Sequence, residues 1–203
     1  MSGLDWLAWG AVLAAGPAGL RLAYTWAFLE AILLPLPPEI LLIPLVVLCP
    51  DRALPLAVVA VLGSLTGGLV SYGLGRQFSK PALALFMRLP GVGRDRILWA
   101  TTMIQRGEAR FIALSPWLMF PYKITSIVSG HRSIAWWRYL LAGALGRGTR
   151  LMGITLAVAV VVQANPGFAR SRYLFTLALA YALIGTGVWM IRRWLLSRLL
   201  SMR

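Results

Sequence analysis

The stretch "ILLPLPPEILLIPLVVLCP", residues 32–50, decides the fold because it is apolar and yet full of residues that interrupt a helix. It holds five prolines and Glu39, and Glu30 lies just upstream. A proline removes a backbone donor and clashes with the preceding helical turn, so this stretch cannot form one straight helix. At membrane depth, broken backbone is tolerated only where protein or a water-filled cavity receives it. Residues 24–50 are therefore predicted to form a re-entrant helical hairpin with "PLPPE" near its tip.

The composition predicts an integral membrane protein. Of the 203 residues, 59% are hydrophobic, whereas soluble domains are about 45–50% apolar. The mean hydropathy is +0.76. The 20 Lys and Arg residues far outnumber the 6 Asp and Glu residues. These bases flank or interrupt apolar segments, which is typical of cytoplasmic loops beside anionic headgroups and argues against a nucleic-acid partner. We expect a multi-pass protein of the bacterial inner (plasma) membrane.

The first half continues with an apolar helix and a basic segment. Residues 53–75 carry no charge and are long enough to span a bilayer. Residues 76–110 contain seven Lys or Arg and two acids, with apolar patches between the charges. This pattern predicts a basic cytoplasmic linker whose amphipathic helices lie on the bilayer surface.

The second half repeats the order of the first. Residues 111–130 are apolar but broken by Pro116 and Pro121. Residues 139–162 and 173–191 are predicted to cross the membrane, and four arginines follow in residues 192–203.

The distribution of positive charge sets the predicted orientation. The linker and the C-terminal tail are the most basic segments, so both are expected in the cytoplasm. An even number of crossings must then separate them, which makes residues 111–130 a second re-entrant hairpin. We predict one all-α membrane domain over residues 1–203, built as an inverted repeat of residues 24–75 and 111–162. It has two re-entrant hairpins and about four transmembrane helices.

Ionisable groups within the apolar stretches are the candidate functional residues, because such groups are costly in a membrane. Glu30 and Glu39 are predicted to couple transport to protons. Three bases lie deepest in the second half and are predicted to bind a lipid phosphate: Lys123, Arg147 and Arg150. We expect the two acids to hold these bases when no lipid is bound. A structural role for the two arginines, by pairing with carbonyls or snorkelling, is the alternative.

Arg110 is the fourth candidate phosphate ligand, and it could instead be the last interfacial charge of the linker. The chain has one cysteine and one histidine, and no metal site or cofactor is expected from them. An intramembrane enzyme is disfavoured because Ser129 and His131 do not share a helix face. The protein is therefore expected not to be an enzyme.

Several motifs resemble those of the DedA family, also called VTT or SNARE-associated domain proteins. They are two glutamates separated by eight intervening residues, the second of which ends "PLPPE", followed by "GSLTGGLVSYGLGR". In the second half, "FPYKITSIVSG" and "GRGTRL" resemble the YqaA-like subgroup. The resemblance covers roughly residues 24–155. Many members carry an Arg-Phe-x-Pro-x-x-Arg pattern, of which Arg110 and Phe111 are present, while the later base is Lys123.

The resemblance implies two re-entrant hairpins that face each other and a role in moving lipids across the bilayer. It also implies embedded acids in the first half, which Glu30 and Glu39 match, and bases in the second. We therefore expect a flippase or scramblase for a lipid with an anionic headgroup, such as undecaprenyl phosphate or a phospholipid. A proton-coupled transporter of a small ion or drug remains open, as do a structural role in a membrane complex and a homo-oligomer.

Overall fold

The computed structural model describes residues 10–34, 36–87 and 94–165. These residues form α-helices and one 3-10 turn and contain no β-strand, which confirms the predicted all-α class. The predicted helix at 173–191 and the basic tail at 192–203 lie outside the described residues.

The helices fall into two runs with the same order of lengths. In each run a first helix is followed by a break, a ten-residue helix and a long helix. The first run comprises α1 (Pro17–Ile32), α2 (Glu39–Leu48), a 3-10 turn (Pro50–Arg52), α3 (Ala53–Gln77) and the short α4 (Ser79–Phe86). The second run comprises α5 (Arg94–Leu114), α6 (Tyr122–His131) and α7 (Trp136–Ala164).

Prolines interrupt the first run where the sequence predicts it. Residues 33–38, the first break, separate α1 from α2; residue 35 within it is not described. The first amide groups of α2 donate to the carbonyls of Pro37 and Pro38, neither of which has a backbone N–H to be left unsatisfied. Pro44 lies inside α2 without ending it. The predicted interruption at "PLPPE" is confirmed, and α1 starts earlier than residue 24.

One helix crosses the predicted boundary between the linker (76–110) and the second repeat (111–162). α5 runs without interruption through this point. Ile104 and Phe111, two turns apart, are both buried, so one apolar face continues across the boundary. That face packs into the protein core with α6 residues, and the position of α5 relative to a bilayer stays a prediction.

The second break, residues 115–121, follows α5 and contains both prolines of the second stretch. Pro121 is the residue before α6, a position where a missing N–H costs nothing. Within the break, Met119 has a φ of 48°, a left-handed conformation that turns the chain sharply. The interruption of residues 111–130 by prolines is thus confirmed.

Within each run, the first helix and the long helix are parallel. A Cβ at Gly63 on α3 would overlap the Tyr24 carbonyl of α1, and further along both helices Ser71 donates to the Ala31 carbonyl at 3.0 Å. In the second run, Gly146 of α7 lies against the Ala113 carbonyl of α5, and Trp117 Nε1, just beyond the end of α5, donates to Thr149 Oγ1 at 3.3 Å, so residue numbers rise together here as well. Since the flanking helices run the same way, the short helices α2 and α6 must bring the chain back.

The two runs point in opposite directions. On α3 and α7, the residue pairs in contact are Leu65 with Gly143 and Gly68 with Tyr139. Residue numbers thus rise along α3 as they fall along α7. Two of the described helical segments are long and apolar enough to cross a membrane, namely Pro50–Gln77 and Trp136–Ala164.

Glycines bring α3 and α6 into backbone contact. A Cβ at Gly75 would overlap the Ile127 carbonyl, and one at Gly130 would overlap the Tyr72 carbonyl. No larger residue fits at this crossing unless the two helices move apart.

We expect Gly75→Ala to destabilise the protein by about 1–3 kcal/mol, because the added methyl overpacks this crossing. Gly73→Ala is the matched control on the same helix, since its Cβ would meet nothing within 4 Å. That control should be neutral or more stable by up to ~1 kcal/mol through helix propensity. Thermal unfolding in detergent, followed by far-UV circular dichroism, measures both. Equal effects of the two substitutions would contradict this packing.

Candidate functional site

Two buried ion pairs join the first run to α7. Arg147 Nη2 donates to Glu30 Oε2, and Arg150 Nη2 lies 2.9 Å from Glu39 Oε1. Each pair unites an acid of the first half with a base of the second, so this part of the predicted contact between acids and bases is confirmed. The four side chains are almost entirely removed from the surface, and buried charges of this kind persist only when they are paired.

Helix geometry explains why both pairs form on one helix. Arg147 and Arg150 are three residues apart on α7 and therefore share a face. Glu30 lies in the last turn of α1, and Glu39 is the first residue of α2. α7 thus contacts α1 and α2, the two helices on either side of the first break.

Lys123 lies within ion-pair distance of no acid among the described residues, and for this residue the expectation is wrong. Its Nζ donates to the carbonyls of Leu33 and Leu34, at 3.0 and 3.2 Å. These carbonyls follow the end of α1, where a helix leaves acceptors without partners. Lys123 is 3% exposed. Its side chain extends from the start of α6 and places a charged group at the first break.

Arg150 plays a similar part at the second break. In addition to its ion pair with Glu39, its Nη1 donates to the Pro116 carbonyl. One guanidinium therefore connects α2 with residues 115–121, because its fork of donors can serve two acceptors at once. In each of the two breaks, a backbone carbonyl thus accepts a hydrogen bond from a basic side chain of the second run.

Tyrosines support the other arginine. The Arg147 guanidinium carbon lies 4.5 Å from the centre of the Tyr122 ring, a cation–π geometry. Tyr139 donates to the Tyr122 hydroxyl at 2.9 Å. Gly68 and Gly143 leave room for this pair, since a Cβ at either would overlap it. Sequence reasoning missed this cluster because Tyr122 and Tyr139 lie on different helices and no spacing signal links them.

The Glu39 carboxylate retains capacity for another partner. Its two oxygens are buried without a well-aligned hydrogen bond among the described residues, although one is within ion-pair distance of Arg150. Ser64 Oγ, on α3, is likewise buried without a hydrogen-bond partner among the described residues. Unsatisfied buried polar groups are uncommon and call for a physical explanation.

The remaining candidates lie outside this cluster. Arg110 is exposed on α5, so the structure does not bring it to the ion pairs. Ser129 Oγ donates to the Thr125 carbonyl at 2.6 Å within its own helix. Among the described residues no group of three or more His, Cys, Asp or Glu side chains could hold a metal ion.

We expect a double-mutant cycle on Glu30 and Arg147 to be strongly non-additive. Glu30→Leu or Arg147→Met alone should cost about 3–5 kcal/mol, because each leaves an unpaired buried charge. The double variant should be more stable than either single variant. Thermal unfolding in detergent measures all three, with Asp51→Asn, an exposed site, as a control expected to change stability by less than about 0.5 kcal/mol. Additive losses would show that the two charges do not interact.

Comparison with known proteins finds one protein with a similar sequence. An uncharacterized protein of Haemophilus influenzae is 22% identical over 138 residues, which are 65% of this chain and 70% of that protein. No family model matches the chain, and no solved structure matches it. The DedA resemblance therefore stays a prediction based on the motifs.

Proposed function

We propose that this protein is an integral membrane transporter, a flippase or scramblase, for a lipid with a phosphate-bearing headgroup. The observation that carries the proposal is the pair of buried arginines, Arg147 and Arg150, held by carboxylates at the first break. A guanidinium binds carboxylate and phosphate with the same planar fork of donors. A lipid phosphate can therefore take the place of a carboxylate without leaving either arginine unpaired.

The outer surface of the two long helices supports a membrane location. Large apolar side chains at helical spacing are exposed on α3 and α7: Leu54, Val58, Leu62, Leu141, Leu145, Leu156 and Val160. Soluble monomers rarely expose contiguous apolar surface of this kind. Both helices also have the length and apolar composition of a membrane span.

The directions of the helices support an inverted repeat with two re-entrant hairpins. In each run the short helix returns between two parallel helices, and the runs oppose each other. α2 and α6 have ten residues each, or about 15 Å, half of a hydrocarbon core of about 30 Å. Breaks at that depth would lie near the midplane, where transporters built from inverted repeats bind their substrates.

We propose that the two ion pairs couple transport to protons. Protonation of Glu39 removes its negative charge. Arg150 then still donates a hydrogen bond to the Pro116 carbonyl but no longer has the Glu39 carboxylate as its counter-ion. A phosphate headgroup supplies that missing negative charge. Glu30 can release Arg147 in the same way, while the face of Tyr122 keeps the guanidinium oriented.

Transport is tested in proteoliposomes with a fluorescent phospholipid and a matched phosphate-free diacylglycerol, with and without a pH gradient. Arg150→Met and Glu39→Gln should slow transfer of the phospholipid by about ten- to a hundredfold, the worth of a charge-assisted hydrogen bond. Arg110→Gln is the matched control, since this arginine is exposed, and should retain the wild-type rate.

Equal rates for the two lipids would contradict recognition of a phosphate. Full activity of Arg150→Met would reject its role as a ligand. Movement of protons together with a soluble ion, without transfer of any lipid, would favour the proton-coupled transporter of a small solute instead.

Topology gives an independent prediction. Because α5 and α7 are parallel, the start of α5 and the end of α7 should lie on opposite sides of the membrane. Single cysteines in place of Asp95 and Gln163, on a Cys49→Ser background, should be labelled by a membrane-impermeant maleimide from the cytoplasmic and the outer side, respectively. Labelling of both from the same side would overturn the arrangement of hairpins.

A further inference from the structure

The end of α1 and the first break form a small group of oxygen atoms with negative character. The Leu33 and Leu34 carbonyls point at one position, occupied by Lys123 Nζ. The end of a helix carries a partial negative charge, which adds to the field of these carbonyls. Glu30, in the last turn of α1, acts electrostatically on Lys123 as well. Such surroundings attract a cation of small size.

The position of Lys123 in its own helix is unfavourable. It is the second residue of α6, and the start of a helix carries a partial positive charge that disfavours a cation. Burial of an ammonium adds a further cost unless oxygen atoms replace its water. The side chain is nevertheless 3% exposed and bonded to α1. The oxygen atoms at the first break therefore offset both costs.

We propose that the first break is a binding site for a monovalent cation, which the chain fills with its own Lys123 ammonium. Unwound backbone carbonyls at membrane depth are known as ligands of alkali-metal ions. Here a tethered ammonium replaces the free ion, so the intact protein needs none. Shortening the side chain empties the position and leaves the carbonyls to accept a small alkylammonium ion, Na⁺ or K⁺ from solution. This inference does not depend on which lipid or solute is transported.

The experiment measures thermal unfolding of the full chain in detergent, in chloride salts of equal ionic strength. The cations compared are methylammonium, Na⁺, K⁺ and choline, the last being too large for the position. Lys123→Ala should have a lower Tm than the wild type in choline chloride. At least one of the three smaller cations should restore roughly half or more of that loss, since a ligand that binds only the folded state stabilises it. The wild-type Tm should not change among the four salts.

Lys123→Met is the matched control, because its side chain fills the same space without a charge. It should lose stability as Lys123→Ala does and gain none from the small cations. Comparison of the Tm of Lys123→Ala in methylammonium, Na⁺ and K⁺ identifies whether the position suits an ammonium donor or an alkali-metal ion.

Equal Tm values of Lys123→Ala in all four salts would overturn the proposal, and so would an equal cation effect in Lys123→Met or in the wild type. Should Lys123→Ala fail to fold in choline chloride, the yield of monodisperse protein purified in the small cations replaces Tm as the readout. An absence of folded protein in every salt then rejects the site. None of these outcomes depends on transport activity, so this inference and the proposed function fail separately.

Discussion

The structure depends on satisfying the carbonyl groups of helices that end inside the protein. α1 stops at the first break, and its last carbonyls have no helical partners there. Ser71 donates to the Ala31 carbonyl, and Lys123 donates to the carbonyls of Leu33 and Leu34. At the second break Arg150 donates to Pro116. Without these donors, each buried carbonyl would cost free energy comparable to a lost hydrogen bond, and prolines could not be placed at these points.

The same donors connect the two halves of the molecule. Among the described residues, the buried acids lie on the first run and the buried bases on the second, so neither half can satisfy its buried charges alone. Replacing such a pair by apolar residues is often neutral or stabilising, so stability alone is a poor reason to keep it. The proposed exchange of a carboxylate for a phosphate gives a functional reason to keep the pairs, because it requires arginines that remain charged.

Some features of the fold and the site follow from local sequence, whereas others do not. The break at "PLPPE" was predictable because proline forbids a continuous helix whatever surrounds it. The pairing of Glu30 and Glu39 with arginines was predictable because buried charges need partners. The continuity of α5 across residue 110 was not predicted, since charges on α5 obscured an apolar face that runs through to Phe111. The partner of Lys123 was wrong because a backbone carbonyl carries no mark in the sequence.

The sequence by itself determined the helical class, the positions of both breaks and the division, between the halves, of the acids and bases embedded in the apolar stretches. These are consequences of composition and of proline stereochemistry, which act locally. Only the tertiary structure decided that Arg147 takes Glu30 and Arg150 takes Glu39, that Tyr122 lies under Arg147, and that Lys123 reaches the end of α1. Those choices depend on the direction in which helices cross and on glycines that let backbones touch, and both are properties of the packed chain.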